Sequence, residues 1–135
     1  MNYPIEDIEG IGPVYGKKLS AVGITNTKKL LDRCASAKGR KDVAGATGLD
    51  DGQLLKWANL ADLMRISGIG KQFSELLEAA GVDTVKELRN RRADNLAAKM
   101  KEVNAAKKLT RSTPSEKQVS AWVDQAKSLA PLITH

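Results

Sequence analysis

The chain has 135 residues, a net charge of +6 and a hydrophobic fraction of 41%. This length suits one domain, or two small domains that pack closely together. No apolar run approaches about 18 residues, which excludes a membrane-spanning helix, and the acidic N-terminal segment lacks the pattern of a secretion signal. A single cysteine, Cys34, excludes an internal disulfide, so we expect a cytoplasmic protein.

The hydrophobic spacing predicts helices along the whole chain and no strands. After a short N-terminal arm, Tyr3 to Ile8, the predicted helices run from Pro13 to about Val22, from about Thr27 to Ala37, over a short stretch ending at Thr47, from Asp51 to Ile66, from Lys71 to about Ala80, from Thr84 to about Arg92, from Asp94 to about Ala106, and from Pro114 towards Pro131. Capping boxes are predicted at Asp50, Thr84 and Thr113. Residues 38–41 are predicted to form a loop.

Two of these helices carry the same apolar stripe. One face of the helix over 51–66 has Leu54, Trp57, Ala58, Ala61 and Met64, and one face of the last helix has Val119, Trp122, Val123, Ala126 and Leu129. Both sets follow the spacing of a helix with one buried face, and they match at an offset of 65 residues. We therefore predict that Trp57 and Trp122 are core residues at equivalent positions.

A glycine turn also occurs twice, at an offset of 58 residues. Gly68-Ile69-Gly70 repeats Gly10-Ile11-Gly12, and each copy is followed by a leucine and then by a glycine with an aliphatic residue. Such internal repeats set the architecture. The sequence predicts an all-α protein made of two related units, 1–65 and 66–135, which share the long helix 51–66 and pack as one compact body.

The whole pattern resembles a bacterial family, domain-of-unknown-function family 4332. The features that carry the resemblance are the stretches LLKWANLADLMRISGIG and LLEAAGVDTVKELRNR, then EVN, and a proline followed by a tryptophan helix. The glycine turns resemble helix-hairpin-helix motifs, in which a glycine hairpin binds a nucleic-acid phosphate. The resemblance thus implies tandem helix-hairpin-helix motifs, similar to those of DNA repair proteins and topoisomerases.

Glycine allows close approach to the backbone, and a helix that starts beside it presents N–H groups to an anion. The candidate phosphate ligands of the second hairpin are Arg65, Ser67, Gly68, Ile69, Gly70 and Lys71, and those of the first hairpin are Gly10, Gly12, Lys17 and Lys18. Glu6, Asp7 and Glu9 oppose an anion at the first hairpin, so the second is the better site. Residues 66–135 also carry the larger excess of positive charge.

These observations favour a non-enzymatic module that binds the phosphates of duplex DNA with little sequence preference. The alternative is a helical adaptor for other proteins. A lyase that uses Lys71 or Lys17 is a more distant possibility, as is a glycosylase-like role for Asp32, which is more simply a solvated helix residue. No cofactor or metal is expected, because neither cysteine nor histidine occurs in a cluster.

Overall fold

The computed structural model describes residues 2–135, and within this range every regular element is helical. A 3-10 helix, Ile5–Asp7, comes first. The α-helices that follow are α1 (Pro13–Ser20), α2 (Thr27–Cys34), α3 (Ala37–Thr47), α4 (Asp51–Leu63), α5 (Lys71–Ala79), α6 (Val85–Leu88), α7 (Ala93–Lys107) and α8 (Glu116–Lys127). The predicted all-α class is therefore confirmed. None of the helices within residues 2–135 has the length and apolar character needed to cross a bilayer.

The buried apolar side chains form two clusters, and residues of α4 belong to both. The first cluster draws on residues 5–64 and includes Trp57 and Met64, whereas the second draws on residues 63–126 and includes Leu63 and Trp122. Trp57 is 2% exposed and Trp122 is 4% exposed, which confirms that both are core residues. Because α4 supplies adjacent residues to different clusters, the two halves cannot separate without exposing it.

Several predicted helix ends are wrong by two to four residues. Helix α4 ends at Leu63 rather than Ile66, since the N–H groups of Arg65 and Ile66 turn back to carbonyls three residues earlier. Helix α6 ends at Leu88 rather than Arg92 for the same reason, because Asn90 and Arg91 form tight turns. Helices α1 and α2 likewise end at Ser20 and Cys34, earlier than expected.

The loop predicted at 38–41 is wrong, because these residues lie in the first turns of α3. Ser36 caps this helix by accepting a hydrogen bond from the N–H of Gly39. The capping box predicted at Thr113 is also misplaced. Ser115 is the cap of α8, and it exchanges hydrogen bonds with Gln118 at 2.9 and 3.1 Å. In each case the serine directly before the helix is the residue that caps it.

A strap, defined as residues 130–135, runs back from α8 to the first core. The guanidinium of Arg40 donates to the carbonyls of Cys34, Ala35 and Thr134, and its side chain is only 4% exposed. The N–H of Thr134 donates to the carbonyl of Ala35 at 2.8 Å, and Ile133 packs against the first cluster. Arg40, which falls in the predicted loop, is therefore a buried structural residue that fixes the strap.

Candidate phosphate-binding turns

The two glycine turns have nearly the same backbone. Gly10 has a φ of +90° and Gly68 a φ of +94°, a conformation that side-chain-bearing residues rarely adopt. After each glycine, the N–H of the isoleucine donates at 3.1 Å to the isoleucine carbonyl three residues earlier. Ile11 and Ile69 are both buried, so each anchors its turn to the core.

A tryptophan closes the space above each positive-φ glycine. A Cβ at Gly10 would lie 3.3 Å from Nε1 of Trp57, and a Cβ at Gly68 would lie 3.1 Å from Nε1 of Trp122. Each indole also packs against an aromatic side chain of the helix that follows the turn. The ring centroids are 5.3 Å apart in both pairs, Tyr15–Trp57 and Phe73–Trp122. At the first position of each turn, a side chain is thus disfavoured both by the positive φ and by the tryptophan that a Cβ would approach.

The second glycine of each turn has open space where a side chain would stand. Gly12 and Gly70 are the residues that precede α1 and α5, both have extended backbones, and a Cβ on either would meet no atom within 4 Å. Neither helix has a side-chain cap, whereas Asn26, Ser36, Asp50, Thr84 and Ser115 cap α2, α3, α4, α6 and α8. The first-turn N–H groups of α1 and α5 are therefore presented beside an accessible backbone.

The side chains around the second turn differ in their availability. Lys71 is half-exposed at the start of α5. In contrast, Arg65 donates to Asp62 at 2.8 Å and to the carbonyl of Ala130 at 2.9 Å, with its side chain 18% exposed. The N–H of Ser67 donates to Oε1 of Gln125 at 2.7 Å. Lys71 is consequently the cation of this turn most accessible to an anion.

The cations of the first turn lie away from its glycines. Lys17 and Lys18 are exposed, but they belong to the last turn of α1, whereas Gly12 precedes the first turn. Glu6 lies directly over the same helix, since a Cβ at Gly16 would come within 2.7 Å of its Oε1. Pro13 at the first helical position also lacks an N–H donor. The first turn thus offers an anion fewer convergent donors than the second.

Two contacts bring the turns together, and sequence reasoning missed both. The hydroxyl of Tyr3 donates to the carbonyl of Ile69 at 3.4 Å, and Nζ of Lys71 lies 3.6 Å from Oε2 of Glu9. Glu9 was assigned to the first hairpin alone, where its sequence neighbours lie. No local pattern could place it beside Lys71, because their contact depends on how the two halves pack.

The pKa of Glu75, a carboxylate near Lys71, is affected by this packing. Burial raises the pKa of Glu75, and the nearby charge of Glu9 raises it further, while Lys56 and Lys71 act in the opposite direction. Positive and negative charges are therefore interleaved at the start of α5. An incoming phosphate at Lys71 must compete with carboxylates that are already present.

The remaining chemically interesting residues have structural surroundings. Cys34 is buried, and burial raises the pKa of its thiol to about 11. Asp32 is exposed and pairs with Lys28 at 3.1 Å, which agrees with a solvated helix residue. Within residues 2–135, no three His, Cys, Asp or Glu side chains gather in a group that could hold a metal ion.

Comparison with known proteins gives one match. The family described as Domain of unknown function (DUF4332) matches residues 9–129, which is most of the chain. No curated protein and no solved structure matches.

Proposed function

The chain belongs to the DUF4332 family, and we propose that it is a cytoplasmic, non-enzymatic module that binds the phosphate backbone of duplex DNA with little sequence preference. In this proposal the two glycine turns are the tips of tandem helix-hairpin-helix motifs. The two units are residues 1–65 and 66–135, joined through the shared helix α4 and the turn that follows it. The second turn makes the principal phosphate contact.

The observation that carries the proposal is the start of α5. This helix follows Gly70, which offers no side-chain cap, the space where a side chain of residue 70 would stand is open, and Lys71 begins the helix with a half-exposed ammonium group. Backbone N–H groups at a helix N-terminus favour an anion, and a neighbouring lysine adds a positive charge. A phosphate oxygen can therefore approach closely enough to accept from this backbone.

The distribution of aromatic and basic residues favours a duplex over a single strand. Both tryptophans lie in the cores, so they cannot form a platform on which bases stack. The second half carries exposed basic residues that extend beyond the turn. These include Lys86, Lys99, Lys101, Lys107, Lys108 and Arg111. Such residues support backbone contacts that do not depend on base sequence.

The first test is a titration of duplex DNA at two salt concentrations. We expect a dissociation constant of about 10⁻⁴ to 10⁻⁶ M at physiological salt, as is typical of non-specific binding. If roughly four phosphates are contacted, log K should fall with log salt with a slope of about −3.6. No binding at low salt would remove this function and favour the adaptor, whose partner would be another protein.

The second test compares the turns. Lys71→Glu places a negative charge beside the proposed phosphate, so affinity should fall alike for all DNA sequences. The slope of log K against log salt should also become shallower by about one unit. Lys17→Glu is the matched control, and we expect a smaller loss because Lys17 belongs to the last turn of α1, whereas Lys71 begins α5. A melting curve for each variant controls for folding, because Lys71→Glu also places a second carboxylate beside Glu9. A larger loss at Lys17 would assign the principal contact to the first turn.

A further inference from the structure

The ion pair between Glu9 and Lys71 joins the arm of one turn to the tip of the other. Its N–O distance is 3.6 Å, and the two side chains are 44% and 50% exposed. Glu9 follows Ile8 and precedes Gly10, so its backbone is fixed by a buried residue on one side and by the positive-φ turn on the other. The backbone that carries this carboxylate is therefore held in place beside the second turn.

The position of this carboxylate matters because Lys71 is the accessible cation of the second turn. Arg65 is engaged with Asp62 and Ala130, and the N–H of Ser67 is engaged with Gln125. A phosphate at the start of α5 would thus take the same ammonium group that Glu9 contacts. Carboxylate and phosphate oxygens are both anionic acceptors, so they compete for one partner.

We propose that Glu9 is an intramolecular competitor for phosphate at the second turn. This inference rests on the proposed DNA-binding function and deepens it. An isolated phosphate that reaches Lys71 only replaces one ion pair with another. A duplex backbone brings further phosphates to other cations of the second half, and those contacts supply the net favourable free energy of binding. Glu9 thereby lowers the affinity of Lys71 for any phosphate, so stable binding requires the further contacts that a duplex provides.

The test is a double-mutant cycle measured as duplex affinity at low salt. Glu9→Gln removes the competing charge and keeps the shape of the side chain, and Lys71→Gln removes the ammonium group. Asp7→Asn is the matched control, because it removes the same charge from an exposed residue two positions away along the same arm. Wild type, the three single variants and the variant with both Glu9→Gln and Lys71→Gln are compared, with melting curves for each.

We expect Glu9→Gln to tighten duplex binding about two- to fivefold, a factor that matches the usual strength of an exposed ion pair. Asp7→Asn should produce a smaller gain through long-range repulsion alone. In the Lys71→Gln background, the gain from Glu9→Gln should shrink to the size seen for Asp7→Asn, because the contested cation is gone.

The outcomes separate this inference from the function on which it rests. Equal gains from Glu9→Gln and Asp7→Asn, or a gain that persists in full without Lys71, would overturn the competitor role while leaving DNA binding in place. If neither the wild type nor Glu9→Gln binds duplex at low salt, the DNA-binding function fails and the competitor role fails with it.

Discussion

The two glycines of the second turn should tolerate alanine to different extents. At Gly68 the φ of +94° forces an L-residue into a conformation that costs about 1–2 kcal/mol. The new Cβ would also lie 3.1 Å from Nε1 of Trp122, so a buried indole must shift. At Gly70 the backbone is extended and the space is open, so the cost is only that of a poor N-cap residue, roughly 0.5 kcal/mol.

Urea unfolding measures this difference. With a slope of about 2 kcal/mol per molar urea, Gly68→Ala should lower the midpoint by about 0.5–1 M, and Gly70→Ala by about 0.25 M. Gly10→Ala is a second control and should resemble Gly68→Ala, because it has a φ of +90° and a 3.3 Å approach to Trp57. Equal midpoints for Gly68→Ala and Gly70→Ala would refute the division of each turn into a structural and an accessible glycine.

Three further predictions concern the cores and the charges. Trp57→Ala and Trp122→Ala should each destabilise the protein by ~3–5 kcal/mol in urea unfolding, as expected for a large buried side chain; an unchanged melting curve for either would show that its stripe is not core. Arg40→Ala should cost about 2–3 kcal/mol because buried carbonyls lose their donor, and Arg40→Lys should recover only part of this, since an ammonium group lacks the planar fork; full recovery would contradict that reasoning. Burial raises the pKa of Glu78 above its ordinary value of 4.5, so just above pH 4.5 the folded state binds more protons than the unfolded state. The stability of the fold should therefore fall as the pH rises through this interval. Glu78→Gln should reduce this fall when melting temperature is followed from pH 4.5 to 7, and an unaltered pH profile would count against it.

The helical class and the buried stripes follow directly from local sequence pattern. Trp57 and Trp122 were predictable because both belong to a spacing of three and four residues that leaves one face of a helix apolar. Ile69 was predictable because an aliphatic residue between two glycines has nowhere to bury except beneath its own turn. In each case the information lies within a few residues of the position in question.

Other features could not be predicted, because they depend on contacts between distant parts of the chain. Arg40 looks like a surface charge in a Lys-Gly-Arg-Lys stretch, yet it is buried because a segment 94 residues later supplies a carbonyl acceptor. Glu9 looks like a local obstacle to the first turn, yet it contacts Lys71 of the second turn. For the candidate site, the glycines could be found from sequence, but the charge that surrounds them could not.

The strap has a consequence for the order in which the molecule is completed during synthesis. Arg40 is made long before Thr134, whose carbonyl is one of its three carbonyl acceptors. While the ribosome is still translating α8, the first core can already form. At that stage the guanidinium of Arg40 lacks the carbonyl of Thr134, and Ile133 does not yet pack against the first cluster. Closure of the first core by the strap is thus a late, long-range step, and stalled chains that end before residue 130 should exchange the amide hydrogens around Ala35 faster than chains that include the strap.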